Sequence, residues 1–264
     1  MTIKRHIPNA LTCLNLLSGM IGIHFVIVNG PYYGFYFILA AAVFDFFDGF
    51  AARMLKQPSE LGKQLDSLAD LVTFGVAPGL IVFVLFIISG AWDIIIANDG
   101  NLDQLWLEGT MGHSVNYWIN VFLNDLVSNQ NIYYPRHFYG WYFILPFVGL
   151  IIPFFSMFRL AKFNLDTRQA TGFIGLPTPA NSLFFASFAL LLWDGFAQDN
   201  WKTVLSMTLI KDQVLMTFVV VFSILLVSEV RLFSLKFSHF RWNGNEIRYS
   251  FLIISAIFIA LLYV

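Results

Sequence analysis

At 264 residues, 58% hydrophobic and only 12% charged, with a mean hydropathy of +0.71, the chain has membrane composition, which excludes an ordinary water-soluble core. A formal net charge of −1 predicts no nucleic-acid partner. The single cysteine, Cys13, excludes an internal disulfide and offers no redox pair.

Apolar stretches of about 20 residues, the length that crosses a bilayer, are read at 10–29, 34–55, 64–90, 139–160, 178–196, 212–231 and 247–264. The expected fold class is therefore all-α: a polytopic membrane bundle of about six to eight transmembrane helices, with residues 1–264 as one catalytic domain. Lys4 and Arg5 precede the first apolar run as they would in a signal peptide. No small-residue cleavage site follows and the run is of full span length, so an uncleaved first helix is expected. With the N-terminus in the cytoplasm, Lys4, Arg5, Arg53, Lys56, Lys63, Arg159, Lys162, Arg168, Arg231, Lys236, Arg241 and Arg248 fall inside, and only Arg136, Lys202 and Lys211 fall outside. That is the positive-inside pattern. It predicts a multi-pass protein with the site facing the cytoplasm; the membrane expected is a bacterial-type plasma membrane, which the charge pattern does not itself specify.

The chain opens with Ile7-Pro8-Asn9-Ala10-Leu11-Thr12, where Pro8 favours a helix start and Thr12 can bond locally to backbone. The most informative stretch follows, DFFDGFAARMLKQPSELGKQLDSLAD at 45–70. It sets Asp45, Asp48, Asp66 and Asp70 in what otherwise reads as spanning helix, and an ionised carboxylate in hydrocarbon costs several kcal/mol. Spacings of three and four place each pair on one helix face. The polar segment from Lys56 to Glu60, interrupted by Pro58, predicts a turn. Folding the chain back there brings Asp45 level with Asp70 and Asp48 level with Asp66. Facing carboxylates repel unless a cation lies between them, and all-oxygen ligation suits Mg²⁺, Mn²⁺ or Ca²⁺. Gly49 and Ala52 leave room for a ligand or a second helix to approach. Arg53 adds a planar cation suited to phosphate. Metal ligands, arginine and a small-residue notch together are a way to hold a pyrophosphate. Ser59 reads as a turn residue or helix N-cap.

Gly75, Pro78 and Gly79 should bend or loosen the third span. Residues 91–138 are polar and predicted to form an extracytoplasmic loop, with 116–127 as an amphipathic helix on the membrane. Tyr133, Tyr134, Tyr139, Trp141 and Tyr142 read as an aromatic belt opening the next span. Arg159, Lys162, Asn164 and Arg168 close that span. Their charges serve either to anchor lipid headgroups or, for one arginine, to bind the carboxylate of an amino-acid substrate. A stiff turn, 173–179, leads into the next helix. The five histidines show no metal-ligand spacing.

The pattern D-x2-D-G-x2-A-R-x8-G-x3-D-x3-D is met at Asp45, Asp48, Gly49, Ala52, Arg53, Gly62, Asp66 and Asp70, and in this the chain resembles the CDP-alcohol phosphotransferases. The stretches 8–19, 65–78, 159–164 and 173–179 are similar in particular to its phosphatidylserine synthase branch. The resemblance implies CDP-diacylglycerol and serine as substrates, two divalent ions held by Asp45, Asp48, Asp66 and Asp70, and Asp70 as the catalytic base. It also implies that Gly49, Ala52 and Arg53 hold the CDP group with help from Ser59, Asn9 and Thr12, and that the enzyme is a homodimer in membrane lipid. The same chemistry with glycerol 3-phosphate or inositol phosphate is the alternative. A prenyltransferase would need no DG-x2-AR element, and a cation transporter would want acidic residues along several spans.

Overall fold

The computed structural model describes residues 6–28, 30–55, 59–97, 144–165, 173–197, 201–232, 242, 245–246, 249–250 and 253. Its helices in chain order are α1 (Ile7–Val28), α2 (Pro31–Met54), α3 (Glu60–Asp70), α4 (Ala77–Ala97), α5 (Ile151–Leu165), α6 (Thr178–Ala197), α7 (Trp201–Ile210) and α8 (Asp212–Val227). A π-helical turn, Leu71–Val76, joins α3 to α4, and a 3₁₀ segment, Leu145–Leu150, leads into α5. The only strands among the described residues form a two-residue antiparallel ladder, β1 (Phe173–Ile174) with β2 (Arg231–Leu232).

Helix dominates because lipid offers no partner for backbone N–H and C=O groups, so each spanning segment must satisfy its own. Among the described residues four stretches are long and apolar enough to cross a membrane: Ile7–Val28, Pro31–Ala52, Glu60–Ser89 and Leu145–Leu165. A fifth is available if α7 and α8, bent by 64° at Lys211, act as one broken span. The protein is thus a multi-pass membrane bundle. The expected six to eight spans are not met among the described residues. Thr178–Leu192 is a shorter apolar helix, Lys211 breaks the α7–α8 pair, and 247–264 falls almost wholly outside those residues. Also outside them are the turn expected at 56–58, the segment 98–143 for which an amphipathic helix and an aromatic belt are expected, and Arg168.

Gly75 and Pro78 loosen the third span as expected, but by a change of winding. Pro78 has no N–H to give, and the turn before it closes in π fashion, with the Ala77 N–H donating to the Val72 carbonyl. The span is continuous in chain from Glu60 to Ala97 but changes register directly after Asp70. Helix α1 packs along α2 and also against α3 and the π turn. Its buried side is small and polar: Pro8, Thr12, Asn15, Ser18, Gly19 and Gly22. Small residues let helices approach where lipid supplies no hydrophobic driving force.

The apolar core lies between α2, α4, α5, α6 and α8, with Ile38, Phe74, Ile81, Leu85, Ile152, Phe185 and Leu215 fully buried. Phe184 stacks on Phe222 at 4.0 Å between ring centroids and fixes α6 against α8. The ladder lays residues 173–177 across the end of α8. There Leu176 N–H donates to the Leu225 carbonyl, and Gly175 adopts φ +75°, which an L side chain rarely does.

Candidate active site

The acidic residues sit where α2 and α3 come together beside α1. On α2, Asp45 and Asp48 turn inward at a spacing of three, while Phe46, Phe47 and Phe50 cover the outer face and are exposed. Helix α3 starts at Ser59, whose Oγ accepts the Gly62 N–H at 3.0 Å. This is the N-cap that the sequence allows for. The cap brings Asp66 round to α2. Carboxylate oxygens of Asp45, Asp48 and Asp66 all lie within 4.8 Å of one another. Asp66 Oδ1 is buried with no hydrogen-bond partner. Three hard oxygen donors, one of them unsatisfied, fit a divalent cation of the Mg²⁺, Mn²⁺ or Ca²⁺ class.

Asp70 is not a member of that triad. It is buried, and its Oδ1 accepts a hydrogen bond from Asn15 Nδ2 at 3.0 Å. It remains within electrostatic reach of Asp45, Asp66 and Asp48. The symmetrical pairing of Asp45 with Asp70 and Asp48 with Asp66 is therefore replaced by three carboxylates together and one set aside.

Beside the triad opens a cavity of about 220 Å³ lined by Pro8, Asn9, Thr12, Asp48, Gly49, Ala52, Ser59, Gly62, Lys63 and Asp66. The residues of the sequence pattern thus converge with the start of α1. A Cβ built on Gly49 would meet nothing within 4 Å. Among the described residues no helix packs on this glycine, which favours the ligand over the second helix as the reason for its size. Gly62 is the opposite case, since a Cβ there would come within 2.9 Å of Ser59 Oγ and 3.2 Å of Asn9 Oδ1. Thr12 Oγ1 lies 2.7 Å from Asp48 Oδ2 and 3.1 Å from the Pro8 carbonyl. Its single proton serves the shorter, charge-assisted contact, so Thr12 orients a carboxylate. Arg53 follows Gly49 by one turn of α2, and its side chain is outside the described residues.

The sequence model of the CDP-alcohol phosphatidyltransferase family matches residues 5–98. Relatives named CDP-diacylglycerol–serine O-phosphatidyltransferase are similar over more of the chain or less. One from Bacillus subtilis is 27% identical over 191 residues, covering 71% of this chain and 74% of the relative. One from Helicobacter pylori is 24% identical over 238 residues, covering 89% and 74%. One from Saccharomyces cerevisiae is 42% identical over 87 residues, but these are 30% of this chain and 32% of the relative.

The candidates beyond the matched residues separate. Arg159 is buried, donates from Nε to the Leu176 carbonyl at 3.0 Å, lies over the Phe163 ring at 4.9 Å and is within electrostatic reach of Asp70. Lys162 points elsewhere, and its Nζ donates to the Val227 carbonyl at the end of α8, a favourable place for a cation. Asn164 is a clasp. Its carbonyl accepts Lys63 Nζ at 2.7 Å and its Nδ2 donates to Ser67 Oγ at 2.7 Å, tying the end of α5 to α3.

Sequence reasoning passed over Lys63, Ser67 and Asn15. Lys63, which the sequence offers only as one of the inside charges, lines the cavity. Asn15 carried a usable signal, because it repeats the spacing of Pro8, Thr12 and Gly19 on one face of an otherwise apolar helix.

Proposed function

We propose that the protein transfers the phosphatidyl group of CDP-diacylglycerol to L-serine, releasing CMP and forming phosphatidylserine. The observation that carries this reading is the convergence of the aspartate triad, the open Gly49 notch and the start of α1 on one cavity inside a phosphatidyltransferase domain. The names of the relatives supply the acceptor.

In this reading the CDP group lies in the cavity against Gly49, Ala52 and Asn9, with Arg53 available to its phosphates and Ser59 keeping the entrance of α3 in shape. Asp45, Asp48 and Asp66, with Asp70 as a further ligand by resemblance, would hold two divalent ions. When bound, these ions draw charge off the diphosphate oxygens and acidify an attacking hydroxyl. The serine hydroxyl oxygen forms a bond to the diacylglycerol-linked phosphorus. The bond from that phosphorus to the CMP oxygen breaks, and the hydroxyl proton passes to the Asp70 carboxylate. Arg159 would bind the serine carboxylate. The positive-inside charge pattern supports a site open to the cytoplasm, where serine arrives from water while acyl chains stay in lipid. The resemblance supports a homodimer.

Serine is favoured over glycerol 3-phosphate or inositol phosphate because the basic pocket that those anions require is thinned when Lys162 is spent on α8. Purified enzyme with CDP-diacylglycerol and each labelled alcohol in turn should label lipid from serine alone, with CMP release lost on chelation. Labelling from a phosphorylated alcohol would overturn the acceptor, and CMP release undiminished by chelator would overturn the metal. Arg159→Ala is expected to raise the KM for serine about tenfold or more, as loss of a charge-assisted hydrogen bond should, with little change in that for the lipid. An unchanged serine KM returns Arg159 to a packing role.

A further inference from the structure

Asn15 is fully buried in a helix whose neighbours along the chain are apolar. Its Nδ2 lies 3.0 Å from Asp70 Oδ1, the orientation in which the amide donates to an ionised carboxylate. That choice leaves Asn15 Oδ1 buried without a hydrogen-bond partner. An unsatisfied buried carbonyl is a cost to folding, and leucine, of similar shape, would fill the place without it.

The backbone around Asn15 is held tightly all the same. Its carbonyl accepts Thr73 Oγ1 at 3.3 Å from the π turn, and a Cβ on Gly19 would clash with that threonine. The position is thus built with precision and filled with a residue that packing alone would not choose. Such a residue is explained by what it does to its partner.

We propose that Asn15 is the positioning residue for Asp70: its amide fixes Oδ1, which leaves Oδ2 as the oxygen that meets the acceptor hydroxyl and keeps Asp70 out of the Asp45–Asp48–Asp66 triad. The inference rests on the reading of Asp70 as the group that takes the proton. It assigns no substrate contact to Asn15.

Two isosteric substitutions in the full-length enzyme in detergent or nanodiscs test it. Asn15→Leu is expected to leave Tm unchanged or raised. Mn²⁺ binding by electron paramagnetic resonance and the KM for CDP-diacylglycerol should stay within about twofold, while kcat falls at least about tenfold. Asn15→Asp keeps the shape, turns the donor into a second carboxylate beside Asp70, and should lower kcat at least as far. Wild-type kcat in either variant would overturn the proposal. So would an Asn15→Leu enzyme in which Tm and Mn²⁺ binding fall together with kcat, since that is the mark of a structural role. Asp70→Asn separates the two layers. If it stays active, the reading of Asp70 fails; if it is inactive while Asn15→Leu is active, only the inference about Asn15 fails.

Discussion

Asp70→Asn is expected to lower kcat by roughly 10²–10⁴-fold, the range a positioned general base supplies, while CDP-diacylglycerol still binds. The substitution is isosteric, and Asn15 Nδ2 can donate to an amide oxygen as it does to Asp70 Oδ1, so the local packing should hold. Asp70 is also absent from the lining of the cavity proposed for the CDP group and from the close triad. Loss of the proton acceptor without loss of the binding surface predicts a split, with kcat collapsing and the KM for CDP-diacylglycerol moving little. CMP release at saturating serine, with lipid affinity measured on the same preparation, reads both. Turnover near wild type would remove Asp70 from the base role, and a parallel loss of lipid binding would make it part of the substrate cradle.

How far the sequence carries depends on whether a residue's meaning is local. Spacings of three and four make Asp45 with Asp48 and Asp66 with Asp70 share faces whatever the tertiary fold, and four acids in apolar helix demand a cation wherever they meet. Gly49 and Ala52 were legible for the same reason, and Ser59 as an N-cap needs only its own helix. What could not be read was the partner of each group. The symmetrical pairing of the four aspartates assumed that α2 and α3 face each other alone. In fact α1 packs against both, and from it Thr12 takes Asp48 and Asn15 takes Asp70. Lys162 and Asn164 stand two apart on α5, yet one caps α8 and the other clasps α3. That divergence follows from neighbours separated by tens of residues in sequence. The π turn after Asp70 is intermediate: Gly75 and Pro78 announce a weak place in the helix, but not that it is relieved by widening the turn to i→i+5 rather than by a bend.

Asp66→Asn should do what few active-site substitutions do, stabilising the metal-free protein while destroying its activity. Three carboxylates with oxygens within 4.8 Å repel one another, and the partnerless Asp66 Oδ1 is the least compensated of their atoms. An amide of the same shape removes one charge from the cluster and adds a donor that the flanking carboxylates can accept. Tm without metal should therefore rise. With metal the order reverses. An ion that binds only the folded protein stabilises it by about 2.7 kcal/mol at a hundredfold excess over its Kd, and the wild-type Tm should climb as Mn²⁺ is added. The Asp66→Asn protein should show no such climb at the same concentrations, and its CMP release should fall by more than about 10²-fold, beyond the usual loss for an outer-shell partner. Equal metal-induced shifts in the two proteins would mean that the triad is not where the ion is held. A lower metal-free Tm in the variant would mean that Asp66 already has a cationic partner in the folded chain, and that the repulsion argued from the triad is not what the protein experiences.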